Sequence, residues 1–567
     1  MSFSRILAVF PVATGMLLAQ LTADQKTADF QYMASLYAKR YAPYEWKRDV
    51  VKFDLLNIGP WLTKINATKN DLEFFDVMSE YVSSLNDAHD VYTLPANFVA
   101  NLNFSVDIYD GTLLVDSINR ARLPGSEFPF LIGYELVSID GVDAQKLLDG
   151  YLRYEIAANP RSTRRLAAQL LTTRPQVLIP TAPNVPEIST VVFRTPGGQT
   201  QSYRIPWAKS GVPMTTIGKY PTPTVAPRAA PRDDEPSYVN LLLRLQNCRL
   251  PDLGYERTVL GFGSRTPIFA TALAALGDGF TQRLGRAASD TFYSGVFTTG
   301  RFKIGFIRIP DYAPLNQQTA INQFVSEIVF FQANTDGLII DETRNPGGSV
   351  SYANTLLSLV MPKTWNSVGF EVRATSEWVI EISSALEQAK ALGEPGYIIA
   401  LLQSIEDSIV SANREQRGRT GPLPLDDVTI TRDPATDSKG NLLAYAKPLM
   451  VLVDEMSASG GDYFPATIQD NARGPLFGFR TMGAGGSVED WEAGSYSQGF
   501  TRVTESLMSR NIDVVTPDFP VTRYVENVGV RPEIQYDYMT RENLMTGGAA
   551  FVRAFLDAMS NYIQSNK

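Results

Sequence analysis

Apolar residues recur with helical spacing in the first hundred residues of the chain. The series is Phe74, Met78, Tyr81, Val82 and Leu85. Residues three and four positions apart lie on one face of a helix, so this series predicts an amphipathic helix. Thr68-Lys-Asn-Asp71 has the form of a capping box, which places the expected helix start there. We therefore predict a helical region over residues 21–100, in which the helix runs into Asn86-Asp87-Ala88-His89-Asp90.

A β-rich pattern follows over residues 101–210. Thr112–Val115 has strand composition, and a second strand-like stretch begins at Gly133 and ends in the turn Asp140-Gly141. Thr195-Pro-Gly-Gly-Gln separates two further strand-like runs, which is the signature of a hairpin. This part of the chain is therefore predicted to form a small β-domain.

The spacing of Gly133, Leu136 and Gly141, with Asp140 before the last glycine, resembles the latter part of a PDZ domain. Arg161–Leu171 has the pattern of a helical insertion in it. The resemblance implies a domain that binds an extended peptide along a strand edge. The alternative is a small β-domain without a ligand.

Strand and helix patterns alternate over residues 291–567. The predicted elements are the strand Lys303–Ile309, the helix Ala320–Phe331, the strand Gly337–Asp341, the helix Tyr352–Val360 and the strand Leu449–Val453. The apolar face of the first helix is expected to comprise Ile321, Phe324, Val325, Ile328 and Val329. Such alternation indicates an α/β core with helices packed on a sheet. The five prolines of residues 221–236 indicate an extended linker within a connecting region, residues 211–290.

Residues 1–20 have the features of a secretory signal. Arg5 supplies a positive start, Ile6–Leu18 is uncharged and mostly apolar, and Ala19 is a small residue suited to cleavage. The alternative is a buried N-terminal helix. Because no other stretch approaches 18 uncharged apolar residues, we predict no further membrane span and a secreted or periplasmic protein.

Composition excludes several classes of function. The net charge of −9 argues against nucleic acid as the main partner, because phosphate binding needs a basic face. The single cysteine, Cys248, allows neither an internal disulfide nor a cysteine-rich zinc site. The single histidine, His89, excludes imidazole-rich metal sites, so no metal or other cofactor is predicted. Most lone histidines at helix ends are structural, yet any chemistry that needs an imidazole must use this one.

The stretch Pro448–Asp462 combines a buried strand, a tight turn and the start of a helix. Ser459 is followed by Gly460 and Gly461, which let the backbone turn sharply and approach a ligand closely. Free N–H groups and the positive end of the helix dipole converge at a helix start. Such a turn suits a nucleophile and an oxyanion. The alternative is an ordinary loop, since serine and glycine are common turn residues.

Four segments, in one order, resemble the tail-specific and tricorn-type serine peptidases. They are the strand ending at Asp341 with Arg344-Asn345-Pro346-Gly347-Gly348, the segment Val453–Asp462, the run Arg473, Gly478, Thr481 and Gly483, and the segment Val525–Pro532. The resemblance covers about residues 295–560. It implies a ClpP/crotonase-like α/β serine peptidase core in which Ser459 is the nucleophile.

One position departs from the tail-specific pattern. Members of that group carry a catalytic lysine in a Gly-Lys-Gly triplet after the serine, but this chain has Gly483-Ala484-Gly485, and Lys567 is the only lysine after Ser459. The tricorn-type branch, and the similar chlamydial protease-like activity factor, use serine, histidine and glutamate instead. Similarity to these implies a triad of Ser459, His89 and Glu526.

The same resemblance implies further roles. The N–H groups of Gly460 and of Gly347 or Gly348 would form an oxyanion hole. Asp518 is the alternative to Glu526 as the group that orients the imidazole, and Glu526 would then be a surface carboxylate. Asp87 and Asp90 are expected to be solvated at a helix end.

The expected function is that of a secreted serine endopeptidase, which hydrolyses protein or peptide substrates through an acyl-enzyme. With His89 as base, kcat/KM is predicted to rise with pH through an apparent pKa of about 6.5. The alternative is a non-catalytic peptide- or ligand-binding protein that retains the peptidase fold. The sequence does not decide between a monomer and a homodimer.

Overall fold

The computed structural model describes residues 20–214, 217–218, 236–253 and 260–566. Apart from residues 20 and 236, the sequence-predicted secretory signal and proline-rich segment lie outside the described residues. No helix within those ranges is long and apolar enough to cross a membrane.

The N-terminal region is helical, as the apolar spacing predicts. Its elements are α1 (Ala23–Arg40), α2 (Tyr44–Trp46), a π-helix (Lys47–Val51), α3 (Gly59–Ala67) and α4 (Asp71–Ser83). The apolar series on α4 is buried. The predicted capping box is wrong, because Thr68 ends α3 and the side chain of Asn70 caps α4 by accepting the N–H of Glu73. Asn70 has the extended backbone of an N-cap residue, and its short amide side chain reaches that N–H.

The second region is a small β-domain. Its elements are β1 (Tyr92–Thr93), β2 (Val99–Asn101), β3 (Phe104–Tyr109), β4 (Thr112–Ile118), β5 (Glu135–Ile139), β6 (Val142–Asp143), α5 (Ala144–Tyr151), α6 (Pro160–Gln169), β7 (Thr173–Pro175), β8 (Ile188–Arg194), β9 (Thr200–Pro206) and β10 (Ala208–Ser210). The main sheet is antiparallel in the order β3-β4-β5-β8-β9, with β6 paired to β5. Asp140 and Gly141 have positive φ and form the predicted turn between β5 and β6.

The third region alternates strands and helices. Its elements are α7 (Ser237–Leu245), β11 (Asn247–Arg249), α8 (Ala270–Ala275), β12 (Phe280–Leu284), β13 (Tyr293–Thr298), β14 (Lys303–Arg308), α9 (Gln317–Asn334), β15 (Gly337–Asp341), β16 (Gly347–Ser349), α10 (Val350–Ser358), β17 (Trp365–Asn366), β18 (Gly369–Val372), α11 (Ser376–Leu392), α12 (Gly396–Arg414), β19 (Thr431–Arg432), β20 (Leu449–Val453), α13 (Gly460–Asp470), β21 (Leu476–Gly478), β22 (Val488–Glu492), β23 (Phe500–Thr504), β24 (Ser506–Val514), β25 (Thr522–Tyr524), β26 (Ile534–Gln535), α14 (Arg541–Met545) and α15 (Ala549–Ser565). The predicted α/β core is confirmed.

A seven-stranded sheet organises this region in the order β12-β13-β14-β15-β20-β21-β26. Strands β14, β15, β20, β21 and β26 run parallel, and every residue of β15 and β20 is buried. Burial on both faces explains their unbroken apolar sequences. Because β15 and β20 are parallel neighbours, the turns that follow them meet at the same edge of the sheet. Those turns carry Gly347, Gly348 and Ser459.

Helix α9 differs from its predicted face. Phe324 and Ile328 are buried as expected, but Val329 is 48% exposed. The buried positions are Ala320, Phe324, Glu327, Ile328 and Phe331. The face is therefore rotated toward Glu327, whose carboxylate accepts hydrogen bonds from Arg283 and Ser294. That partnered carboxylate allows a charged residue to point inward where the apolar pattern favours valine.

Candidate active site

Ser459 occupies a strained turn between β20 and α13. Its φ of 60° and ψ of −110° are unusual for a residue with a side chain. The backbone N–H of Ser459 donates to Oδ2 of Asp462 at 2.8 Å, which fixes the turn. The turn after β15 approaches so closely that a methyl group on Gly461 would lie 2.6 Å from the carbonyl oxygen of Asn345. The turn thus holds the Ser459 side chain at the carboxyl end of the sheet.

His89 lies directly against Ser459. Its Nε2 is 2.7 Å from Ser459 Oγ, and both side chains are fully buried. The histidine turn is attached to the third region by β1, which pairs with β23, and by Asp90, whose Oδ1 accepts the N–H of Thr504 at 3.0 Å. The structure therefore brings the predicted nucleophile and base together.

Burial sets the protonation state of this imidazole. Desolvation lowers the pKa of His89 from 6.5 to about 4, while the carboxylate of Asp87 opposes the shift. At neutral pH the ring is therefore uncharged and can accept the Ser459 proton on Nε2. In this buried state the pKa lies below the value of about 6.5 expected from the sequence.

Asp87 and Asp90 are buried, so the expectation that solvent surrounds them is wrong. The loop after α4 packs between the N-terminal helices and β23, and this packing removes water from both carboxylates. Asp87 Oδ1 accepts the N–H of His89 at 3.0 Å, and Oδ2 accepts the hydroxyl of Tyr41 at 2.9 Å. Burial also raises the pKa of Asp90 well above its ordinary value, with a further contribution from Asp87.

Glu526 is fully buried near the histidine turn rather than exposed in a surface loop. Its Oε1 forms an ion pair with Lys47 Nζ, and its Oε2 accepts the N–H of Gly485 at 2.9 Å. None of its hydrogen bonds within the described part of the chain goes to His89. Burial and the charge of Asp87 raise the pKa of Glu526, whereas Lys47 lowers it.

Lys47 is a buried cation that motif reasoning missed. Its ammonium group donates to Glu526, to Asn527 Oδ1 at 2.7 Å and to the carbonyl oxygen of Asn86 at 2.9 Å. It therefore ties the Glu526 turn to the histidine turn. The sequence contained no signal for this contact, because 479 residues separate Lys47 from Glu526.

Asp518, the alternative orienting group, lies in different surroundings. It pairs with Arg531 at 2.6 Å and with Arg480 at 3.5 Å, and its side chain is 44% exposed. Because His89 is fully buried, these ion pairs place Asp518 at the surface rather than against the imidazole.

Three glycine backbones converge beside Ser459. A methyl group on Gly347 would lie 2.5 Å from the N atom of Gly460 and 2.8 Å from Cβ of Ser459. One on Gly460 would lie 3.0 Å from the N atom of Gly348. Only residues without a side chain fit this approach. As the first residue of α13, Gly460 has an N–H without an intrahelical acceptor.

The other two predicted oxyanion donors are engaged. The N–H of Gly347 donates to Asn345 Oδ1 at 2.9 Å. Gly348 pairs with Cys248 in the antiparallel ladder between β11 and β16. Hydrogen bonds run from Leu250 N to Pro346 O and from Val350 N to Gln246 O, two residues to either side of this pair. Because hydrogen-bonded pairs alternate along an antiparallel ladder, Gly348 occupies a hydrogen-bonded position. Strand β11 therefore lies along the edge where two predicted donors sit.

Asp462 is a second group without a predicted role. Its carboxylate accepts the N–H groups of Ser459, Gly483 and Ala484 and the hydroxyl of Thr481. Burial raises its pKa to about 6, and these hydrogen bonds oppose the shift. The triplet that carries a lysine in tail-specific enzymes is thus attached to the nucleophile turn through backbone contacts. Within the described residues there is no group of three or more side chains suited to holding a metal ion.

Comparison with known proteins identifies two domains within the chain. A family model described as peptidase family S41 matches residues 303–534. The chain carries an S41 peptidase domain. This domain contains Ser459, Glu526 and the glycines at the sheet edge, whereas His89 lies outside it. A PDZ domain model matches residues 99–214. The predicted serine-type peptidase and the PDZ-like domain are therefore confirmed, and the exact domain boundaries stay a prediction.

Relatives of the whole chain support the same assignment. A protein of Chlamydia trachomatis serovar D is 26% identical over 572 residues, covering 92% of this chain and 90% of that protein. A protein of Chlamydia pneumoniae is 26% identical over 579 residues, covering 92% and 88%. The solved structure of mature CPAF has a TM-score of 0.72 at 22% identity, covering 96% of this chain and 98% of that one. CPAF complexed with lactacystin gives 0.71 at 22% identity, covering 96% and 99%. The described chain thus shares the fold of mature CPAF.

Proposed function

We propose that this S41 peptidase is a secreted endopeptidase in which Ser459 is the nucleophile and His89 the general base. The observation that carries the proposal is the 2.7 Å contact between Ser459 Oγ and His89 Nε2. A neutral imidazole at this distance can take a proton from a hydroxyl group. A non-catalytic binding protein has no need of such a pair.

The proposed reaction proceeds through an acyl-enzyme. As Ser459 Oγ bonds to the peptide carbonyl carbon, its proton moves to His89 Nε2. The C–N bond of the tetrahedral intermediate then breaks, and Nε2–H protonates the leaving amine. Water repeats the sequence on the ester, with His89 again taking and returning a proton, and releases Ser459.

Two further groups complete the proposed site. The third member of the proposed triad is Glu526, which Lys47 connects to the histidine turn. The N–H of Gly460 and one from Gly347 or Gly348 would bind the oxyanion, each lowering the barrier by about 3 kcal/mol. Gly460 is best supported, since its N–H lies at a helix start without an intrahelical acceptor.

A substrate must displace part of the chain to reach this site. Ser459 is fully buried, and β11 occupies the edge of β16. We propose that β11 leaves that edge in the active enzyme. Gly348 then becomes available to a substrate strand or to the oxyanion. The secreted location rests on the signal-like residues 1–20 alone.

Labelling with a fluorophosphonate probe tests the proposed chemistry. The proteins are the parent, Ser459→Ala, His89→Ala and, as a matched control in an exposed loop, Ser126→Ala. Each is labelled before and after limited cleavage in the proline-rich linker of residues 221–236, because the closed site slows access. We expect the parent and Ser126→Ala to react and the other two not to. Loss in Ser459→Ala alone would keep the nucleophile and remove His89 as its base. If cleaved, folded parent protein does not react, the endopeptidase proposal fails and a binding protein remains.

A further inference from the structure

Asp87 faces the side of the imidazole that lies away from Ser459. Its Oδ1 is 3.8 Å from Nδ1 of His89, and the same oxygen accepts the His89 backbone N–H at 3.0 Å. One carboxylate oxygen therefore lies near both the backbone N–H and the ring Nδ1 of the histidine. Asp87 is 1% exposed and His89 is fully buried, so water cannot readily replace this interaction.

The carboxylate of Asp87 is itself held in place. Tyr41 donates its hydroxyl to Oδ2 at 2.9 Å, and Tyr41 is fully buried in the N-terminal helical region. Burial and the charge of Asp87 raise the pKa of Tyr41 well above its ordinary value, so this hydroxyl stays protonated and can only donate here. The hydrogen bond leaves Oδ1 directed at the histidine.

The other charged groups around the ring are already engaged. Asp90 accepts from Thr504, Glu526 pairs with Lys47 and accepts from Gly485, and Arg502 binds Asp490. Tyr37 and Tyr41 interact with Asp87 and Asp90, and burial raises the pKa of both phenols, so they stay protonated. Nδ1 of His89 has no hydrogen-bond partner among the described residues. A buried ring nitrogen needs one, and Asp87 Oδ1 is the carboxylate oxygen placed to supply it.

We infer that Asp87 is a positioning residue for the reaction, which accepts Nδ1–H of His89 and so presents the Nε2 lone pair to Ser459. The inference rests on the proposed function, because it acts through His89 as base. A ring movement of about 1 Å brings the 3.8 Å separation into hydrogen-bond range, and catalytic hydrogen bonds are often long before substrate binds. Asp87 then stabilises the imidazolium directly, while Glu526 is connected to the histidine turn through Lys47.

The electrostatic environment of the ring agrees with this division of labour. Asp87 is the carboxylate that raises the pKa of His89, against the opposing effects of burial, Arg502 and Lys47. Protonation of His89 is therefore favoured by the carboxylate of Asp87 and opposed by burial and by the two cations.

The presence of a single histidine makes the test direct. Protein labelled with ¹⁵N at histidine gives the two nitrogen signals of His89 alone, and their shifts report which nitrogen carries the proton. We expect Nδ1–H and an unprotonated Nε2 in the parent at pH 7. In Asp87→Asn the amide group can turn its NH₂ toward Nδ1, and the proton should move to Nε2.

Hydrolysis by the same proteins provides the second readout. We expect Asp87→Asn to lower kcat by about 10²- to 10⁴-fold with little change in KM, because an inverted tautomer leaves substrate binding intact. Tyr41→Phe keeps the carboxylate and should lower kcat less than tenfold, so it tests the same interaction if Asp87→Asn fails to fold. Near-ultraviolet circular dichroism shows which variants are folded.

The outcomes separate the inference from the function on which it rests. A folded Asp87→Asn with the parental tautomer and kcat overturns the role of Asp87. If Asp87→Asn does not fold, the ¹⁵N shifts of His89 in Tyr41→Phe provide the test. A mixture of tautomers in that variant supports the inference, and parental shifts overturn it. If the parent protein shows no Ser459-dependent hydrolysis, the proposed endopeptidase function is wrong. Any positioning role of Asp87 in the reaction is then wrong as well.

Discussion

His89 Nε2 and Ser459 Oγ lie 2.7 Å apart although 370 residues separate them in the chain. The histidine comes from the N-terminal region and the serine from the parallel sheet. Only the folded arrangement, in which β1 pairs with β23, joins the two. Activity should therefore depend on contacts between these regions as much as on the S41 domain itself.

Gly347 tests the close approach of the glycine backbones. Its φ is +90°, and an added methyl group would collide with the carbonyl oxygen of Cys248 and lie 2.8 Å from Cβ of Ser459. We expect Gly347→Ala to reduce fluorophosphonate labelling at least about 100-fold, the effect of losing an oxyanion donor, because the alanine displaces the serine turn. The control is Gly440→Ala, where φ is +81° and no atom lies within 4 Å. Equal labelling of the two variants would contradict a role for the close approach at Gly347.

Asp462 should stabilise the nucleophile turn through its four hydrogen bonds. In Asp462→Asn the new NH₂ group faces N–H donors, so one or more buried donors lose their acceptor. We expect the free energy of unfolding to fall by about 3 kcal/mol. Labelling of Ser459 by the fluorophosphonate probe should fall as well. Urea denaturation measures the change. The matched control is Asp437→Asn, because Asp437 accepts N–H groups in an exposed turn. A loss no larger than that of the control would contradict this role.

The buried ion pair between Lys47 and Glu526 should be strongly coupled. Lys47→Met leaves an unpaired buried carboxylate, so we expect a loss of about 3 to 5 kcal/mol in the free energy of unfolding. The double variant Lys47→Met/Glu526→Gln removes both charges and should recover much of that loss. A double-mutant cycle by urea denaturation measures the coupling. The exposed pair Lys64–Glu80, with both side chains nearly half exposed, is the control and should couple by less than about 1 kcal/mol. Equal coupling in the two pairs would mean that the buried pair is effectively solvated.

His89 should make stability depend on pH in a known direction. Its pKa is about 4 in the folded protein and about 6.5 in an unfolded chain, so between these values the unfolded state binds more protons. The free energy of unfolding should consequently fall as pH falls from 6.5 to 4, by about 3 kcal/mol. At pH values above 6.5 this contribution is constant.

Several buried carboxylates titrate in the same range with the opposite sign, among them Asp462 and Glu505, whose pKa values burial raises to about 6 and about 7. The measurement is therefore the difference between the parent and His89→Gln across pH 4 to 7. A difference that does not change with pH would show that the imidazole is not desolvated.

The local sequence determined the elements and the nucleophile turn. Apolar periodicity identified α4, and the unbroken apolar runs of β15 and β20 follow from burial on both faces of a parallel sheet. The turn at Ser459 could be predicted because strand, serine and paired glycines are consecutive in the chain. His89 could be singled out because the chain has no other imidazole.

Only the tertiary structure decided which groups surround the imidazole. Asp87 follows a helix and looks solvated in sequence, and Lys47 carries no motif, yet tertiary packing buries both. The wrongly predicted capping box at Thr68 and the buried Glu327 on α9 show the same limit of sequence patterns. In both cases a specific hydrogen bond in the folded chain decides the structure. Burial also sets the pKa of His89, because desolvation depends on every atom around the ring rather than on its neighbours in sequence. Covalent order thus specified the nucleophile, while the folded packing specified its base, the charges behind that base and the strand that covers the site.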